Sequence, residues 1–284
     1  MIVNTHISDN DVIPAYIEIS LRQARHFNPN REIYFICKAK QSYFDDLKVN
    51  WISQQSFSGD TIHRFNEVSW FKRHGTPSTT FPSEPLFWHR TCERLFYLYE
   101  FIKQNACDTT YHFENDVLIF DNLDKLARHR LGNWAIPMSP NHATFAFTVI
   151  NDPERFGDMC DTFIRLMEKG EDYIKSLGYN HVSEMSLLDY VIKEGLVLPL
   201  PTMPSTSEEF VFDPGSYGQY VGGTNGGDGP NFIDPTHYVG QMLKGDRFAG
   251  IDLYMQPRVF NILGTRKLFN LHVHSKNLAK FAVV

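Results

Sequence analysis

The sequence predicts an α/β protein whose N-terminal half carries a parallel, Rossmann-like sheet. Three observations predict it. Strand-like and helical stretches alternate from the first residues onward, in the order strand, helix, strand, helix, strand. The second strand-like run, residues 32–37, is short and apolar, as expected of a strand covered on both faces. A long amphipathic helix then feeds a further apolar run that ends in the acidic trio Glu114-Asn115-Asp116.

Residues 2–6 (IVNTH) read as the first strand. Asp9 or Asn10 is the expected cap of a helix with Pro14 near its first turn. Ile13, Ile17, Leu21 and Ala24 share one face of that helix. Asn28-Pro29-Asn30 ends it. Residues 32–37 form the second strand, 43–47 a short helix and 49–52 the third strand. Residues 61–72 have helical spacing, and 74–82 are turn-rich and expected to be a surface loop. Ser83 is the expected N-cap of a helix running to Asn105, on which Arg90 and Arg94 share a face at i and i+4.

After the acidic trio, residues 117–120 are a second apolar run, with a capped helix start at Asp121 or Asn122. Strands are expected over 134–138 and 143–151, then helices over 155–169 and, behind a Ser183 cap, 184–194. A short strand over 197–200 leads into the proline-rich stretch 199–204, and the glycine-rich stretch 213–230 follows. That stretch lacks a Gly-Lys-Ser/Thr element and reads as a long mobile loop. Strands over 258–263 and 268–274 and a short helix from Asn277 close the chain. No repeat or linker divides the 284 residues, so one domain is expected.

Composition excludes several classes. The net charge is −6 with no Lys/Arg block, which argues against nucleic acid as a partner. No run approaches the ~20 apolar residues of a membrane span, and the Met1-Ile2-Val3-Asn4 start lacks a basic leader. The four cysteines are widely spaced, without a zinc-like pattern, and read as reduced thiols of a soluble cytoplasmic protein.

Two constellations carry chemistry. Carboxylates at the end of an apolar strand are costly unless water, a cation or a ligand meets them. Glu114 and Asp116, at i and i+2, point to one side of an extended chain and suit a divalent cation with coordination places left for phosphate oxygens. The second is Asn270-Leu271-His272-Val273-His274-Ser275-Lys276, where strand alternation puts His272 and His274 on one face. A neutral imidazole ligates ions such as Mn²⁺, and Lys276 can meet a phosphate. Either histidine fits the ligand position. His6, at the end of the first strand, is counted with the residues facing the bound cofactor.

The Rossmann-like half, the Arg94-Leu95-Phe96 helix, the strand ending in Glu-Asn-Asp and the terminal His-x-His-Ser-Lys resemble the GT-A-type glycosyltransferases. The resemblance implies a single GT-A-like domain with a mixed central sheet. Residues 1–124 would bind the nucleotide sugar, and 125–284 would bind the acceptor and supply the C-terminal metal and phosphate segment. It implies a Mn²⁺ or Mg²⁺ cofactor held by Asp116 with Glu114, which replaces the usual first Asp, and by His272 or His274. Arg94 and Lys276 would meet the diphosphate. The donor would be a nucleotide-diphosphate sugar, a UDP-sugar before a GDP-sugar, and the acceptor a glycan, glycoprotein or glycolipid. Glu184, at a helix N-terminus, and Asp213 are the expected catalytic bases. The rival readings are a nucleotidyltransferase of similar fold, a non-catalytic sugar-binding protein and a metal hydrolase.

Overall fold

The computed structural model of the chain describes residues 1–74, 86–129, 131–203, 209–225, 227–232, 234–244, 254–256, 259–262 and 266–284. The N-terminal half runs β1 (Ile2–His6), α1 (Tyr16–Phe27), β2 (Ile33–Cys37), β3 (Val49–Ser53), α2 (Asp60–Val68), α3 (Trp70–His74), α4 (Phe87–Asn105), β4 (Thr110–Phe113) and β5 (Val117–Ile119). Next come β6 (Asn133–Ser139), β7 (His142–Ile150), α5 (Pro153–Lys169), α6 (Glu171–Ser176), α7 (Glu184–Lys193), β8 (Leu198–Pro199) and β9 (Phe210–Phe212). The chain closes with α8 (Ser216–Gly222), α9 (Tyr238–Lys244), β10 (Tyr254–Gln256), β11 (Val259–Ile262) and β12 (Arg266–His272).

The described strands form a mixed seven-stranded sheet in the order β3-β2-β1-β4-β7-β6-β8. Its first four strands are parallel, and β7 and β6 then alternate in direction. This is the Rossmann-like half and mixed sheet expected from the sequence. Alternation along each strand decides which side chains enter which layer. Val3, Ile36 and Phe145 face a core built on α2, α4, α5 and α7, with Phe65, Phe96 and Phe163. Their neighbours Ile2, Phe35 and Ala146 face the opposite core, with Ile17 and Leu21 of α1 and with Phe212 and Phe269.

A second sheet, β10-β11-β12-β5 with β9 beside β12, packs onto that second layer. The chain passes from one sheet to the other between Phe113 and Val117. Phe113 pairs with Phe147 in the first sheet, and Val117 pairs with His272 in the second. The acidic trio occupies the three residues of this crossing.

Several expectations are corrected. The first helix starts at Tyr16, not behind Asp9 or Asn10. Pro14 biases the residue before it out of helical geometry, and its carbonyl accepts from Ile17 N, so the helix begins only after it. The helix expected over 61–72 is two, broken at Ser69. The loop at 74–82 and the Ser83 cap lie outside the described residues, save for His74, which ends α3. The glycine-rich stretch is not simply a loop, because α8 forms within it. The strand expected over 268–274 ends at His272, where Val273 N turns to the carbonyl of Asp116 (2.8 Å).

Candidate metal and diphosphate site

The site lies where the parallel strands β1 and β4 end, the edge at which open α/β sheets place ligands. β4 ends at Phe113, and the acidic trio turns back with Val117 N on the carbonyl of Glu114 (3.0 Å). Asn115 Nδ2 donates to the carbonyl of Thr5 (3.0 Å) and stands 3.4 Å from His6 Nδ1. The trio is thereby tied to the end of β1, beside His6.

Glu114, Asp116 and His272 each direct one ligand atom to a common point, those atoms lying within 4.8 Å of one another. His272 Nε2 is 3.1 Å from Asp116 Oδ2 and 3.3 Å from Glu114 Oε2. Lys276 Nζ also bonds Asp116 Oδ2, and its side chain keeps 37% of its surface in solvent. Burial pushes the Asp116 carboxyl up, but His272 and Lys276 outweigh it and hold the group well below the usual carboxylate range. Burial likewise disfavours charge on His272, yet Asp116 raises its pKa.

The structure separates the two histidines. His272 belongs to the cluster, whereas His274 lies beside it with ring centroids 4.3 Å apart. Burial and the neighbouring His272 push His274 down to about 3, so it is a neutral ring packed on His272.

Arg94 does not stand open to a diphosphate. Its Nη2 is 2.6 Å from both Glu114 Oε1 and Glu184 Oε1, with 13% of the side chain exposed. The guanidinium is a bracket beneath Glu114. One cation cannot fully offset two buried carboxylates, and Glu114 has His272 as well. Burial pushes both acids up, but Arg94 and His272 bring Glu114 below its ordinary value. Burial leaves Glu184 raised to about 7 despite Arg94. Ser183 and Ser186 fix Glu184 through a reciprocal capping box at the start of α7. Glu184 thus holds Arg94 from a buried position instead of standing open to an acceptor.

Asp213 is corrected more fully. Its side chain is entirely buried, and its carboxylate accepts from the amides of Gly215 (2.7 Å), Tyr217 (3.0 Å), Gly218 (2.9 Å) and His272 (2.9 Å). With its oxygens so engaged, it does not serve as an acceptor-facing base. Sequence reasoning missed Tyr16, whose ring centroid lies 5.8 Å from Lys276 Nζ. It also missed Gln219, whose Nε2 is 3.5 Å from His274 Nδ1. A half-buried tyrosine in the first helical turn carries no local signal of either kind. Thr144, on β7, stands 3.5 Å from Glu114 Oε1.

No protein-family model and no curated protein sequence matches the chain. Solved structures similar in fold include mouse xyloside xylosyltransferase 1 in its apo form, with a TM-score of 0.46 and 6% identity over 72% of this chain and 88% of that one. They also include the galactosyltransferase LgtC in complex with donor and acceptor sugar analogues (0.45, 15%, 83% and 84%). A third is the glycosyltransferase GlyE of Streptococcus pneumoniae TIGR4 (0.39, 13%, 68% and 43%). All three are glycosyltransferases.

Proposed function

We propose that the protein is a metal-dependent glycosyltransferase. It moves a sugar, hexosyl or pentosyl, from a nucleotide-diphosphate sugar to a hydroxyl of a glycan, glycoprotein or glycolipid. The observation that carries this reading is the convergence of Glu114, Asp116 and His272 beside Lys276 at the C-terminal edge of the parallel strands.

The donor set fits a divalent ion. Two carboxylates and one imidazole suit Mn²⁺, with Mg²⁺ the harder alternative. Asp116 and Glu114 would supply the oxygens and His272 the nitrogen. When bound, the ion would offset the charge that gathers on a departing diphosphate.

The chain's own residues divide the remaining work. Lys276, partly solvated and beside Asp116, is placed to meet a phosphate oxygen. Tyr16 offers an aromatic face next to that ammonium group for the nucleoside. His6 and Asn115 line the nucleotide side. Arg94, gripped by Glu184, keeps Glu114 ionised and aimed. Residues 1–124 act as the donor-binding half, and 125–284 act on the acceptor and close the metal site. The four cysteines are buried free thiols, which suits a reducing cytoplasm. Among the described residues no helix is long and apolar enough to cross a membrane.

A thermal-shift panel of UDP, GDP, CDP and their sugars, each with Mn²⁺, Mg²⁺ or EDTA, tests the proposal. A ligand that binds the folded state raises the melting temperature by mass action. The expected result is a metal-dependent shift for one nucleotide, UDP first and GDP second, that is lost in Asp116→Ala. The absence of any shift with every nucleotide and metal would overturn it.

A further inference from the structure

The His272 ring lacks the support that metal-bound imidazoles usually have. Such a ring ordinarily donates its second N–H to a carboxylate or carbonyl, which fixes its tautomer and its aim. His272 Nδ1 is buried and has no hydrogen-bond partner among the described residues. Nε2 points at Asp116 and Glu114 all the same, so something other than a side-chain bond to Nδ1 sets the direction.

The main chain of His272 is held instead. Its amide donates to Asp213 Oδ2 (2.9 Å). Its carbonyl lies against Gly218 so closely that a Cβ there would sit 1.8 Å from the oxygen. The same Asp213 carboxylate takes the amides of Gly215, Tyr217 and Gly218, fastening the first turn of α8 to the end of β12. Gly215, at φ +117°, leaves room for His274, whose Nε2 would be 2.4 Å from a Cβ. His274 in turn packs on the His272 ring. Asp213 is itself fixed by Asn270, which accepts from its amide (3.0 Å) and donates to its carbonyl (3.1 Å). Between Leu268 and Asn270 the β9–β12 register shifts, and such irregularities re-aim the residues that follow.

We propose that Asp213 is the positioning residue of the metal site. Through the backbone of His272, with Gly218 as the backstop and Asn270 as the anchor, it holds the imidazole on the point shared by Glu114 and Asp116. The proposal rests on the metal-dependent reading above and deepens it. It assigns the pre-organisation of the nitrogen ligand to a carboxylate that touches neither the ion nor a substrate.

The test is direct Mn²⁺ binding, measured by titration calorimetry and by the electron paramagnetic resonance of the free ion, on the full chain. Wild type, Asp116→Ala, Asp213→Asn, Asn270→Ala and, as a control for lost stability, Phe163→Leu in the core remote from the site are compared. In Asp213→Asn an amide N–H₂ must face one of the two pairs of backbone N–H groups, so α8 and the His272 backbone are no longer both held. The expected result is Mn²⁺ affinity weakened about 10- to 100-fold in Asp213→Asn, less in Asn270→Ala, and unchanged in Phe163→Leu. Wild-type affinity in a folded Asp213→Asn overturns the proposal while leaving the metal reading intact, provided Asp116→Ala has lost binding. If Asp213→Asn does not fold, Asn270→Ala decides, and unchanged affinity there overturns it equally. Absence of Mn²⁺ binding in wild type, or equal binding in Asp116→Ala, overturns the metal reading and this proposal together.

Discussion

Asp116 and Asp213 are both buried carboxylates on either side of His272, and they are satisfied in opposite ways. Asp116 is met by side chains, the His272 ring and the Lys276 ammonium group. Asp213 is met by four main-chain amides. Side-chain partners can swing away and be exchanged for a ligand, whereas amides built into a helix turn and a strand end cannot. One turn of the chain is therefore arranged for chemistry and the other for architecture, although both present an acid at the end of an apolar strand. An exposed-looking acid in the sequence is not enough to tell them apart; the nature of its partners is.

The sharpest way to break this comparison is to remove each acid. Asp213→Ala strands four buried N–H groups, at ~1–3 kcal/mol each before relaxation, so a loss of roughly 4–8 kcal/mol is expected by urea unfolding. Next in size is Arg94→Met, which leaves Glu114 and Glu184 buried without their shared cation. Breaking a buried pair this way costs about 3–5 kcal/mol, again read from denaturation midpoints. A pH measurement extends the comparison to a base held by the main chain. His112 is fully buried, with Nδ1 2.8 Å from the carbonyl of Val3, and burial followed by Arg94 lowers it from 6.5 to about 4. Between those values the unfolded chain binds a proton that the folded chain does not. Stability therefore rises with pH across that window and falls on acidification, by about 3 kcal/mol at ~1.4 kcal/mol per unit. His112→Gln should flatten that slope, and an unchanged slope would refute the assignment.

Smaller effects test the exchangeable side. Asp116→Ala leaves Lys276 free to rehydrate, so stability should fall by no more than ~1–2 kcal/mol, while the metal-dependent nucleotide shift disappears. Equal melting of Asp116→Ala and Asp213→Ala would defeat the distinction drawn here. Ser183→Ala removes one half of the capping box on α7, worth ~1 kcal/mol. If Arg94 is positioned through α7, that variant should also weaken Mn²⁺ binding slightly, which separates a local cap from a cap that supports the site.

Much of the fold was legible because it is written in local patterns. The runs 2–6, 32–37 and 49–52 are short and rich in β-branched and aromatic residues between turn signals, and they form β1, β2 and β3. The acidic trio was legible because two carboxylates at a strand end are energetically conspicuous. What stayed hidden depends on partners far along the chain. That residues 117–119 leave the first sheet follows from their pairing with β12, more than 150 residues later. The choice of His272 over His274 is made where the Asp116 carbonyl takes Val273 N and ends the strand, a contact that period-2 alternation does not encode. Glycine content suggested a mobile loop over 213–230. The opposite force, an aspartate gathering the amides of the next turn, needs only one residue to act and was lost among the glycines. Arg94 was singled out by its helix face for a diphosphate, but its partner Glu184 comes from another helix, so its bracket role was not readable.

The crossing between the two sheets has a consequence for how the chain tolerates change in length. Phe113 is locked in step with Phe147 on one side, and Val117 with His272 on the other, with three residues between. Adding or deleting a single residue there would force one of the two ladders to slip, turning its side chains to the wrong layer. Insertion scanning should therefore find the turn at 114–116 as intolerant of extra residues as the buried strands β4 and β5 on either side of it. The spacing of this segment is thus constrained by its two anchors as well as by its chemistry.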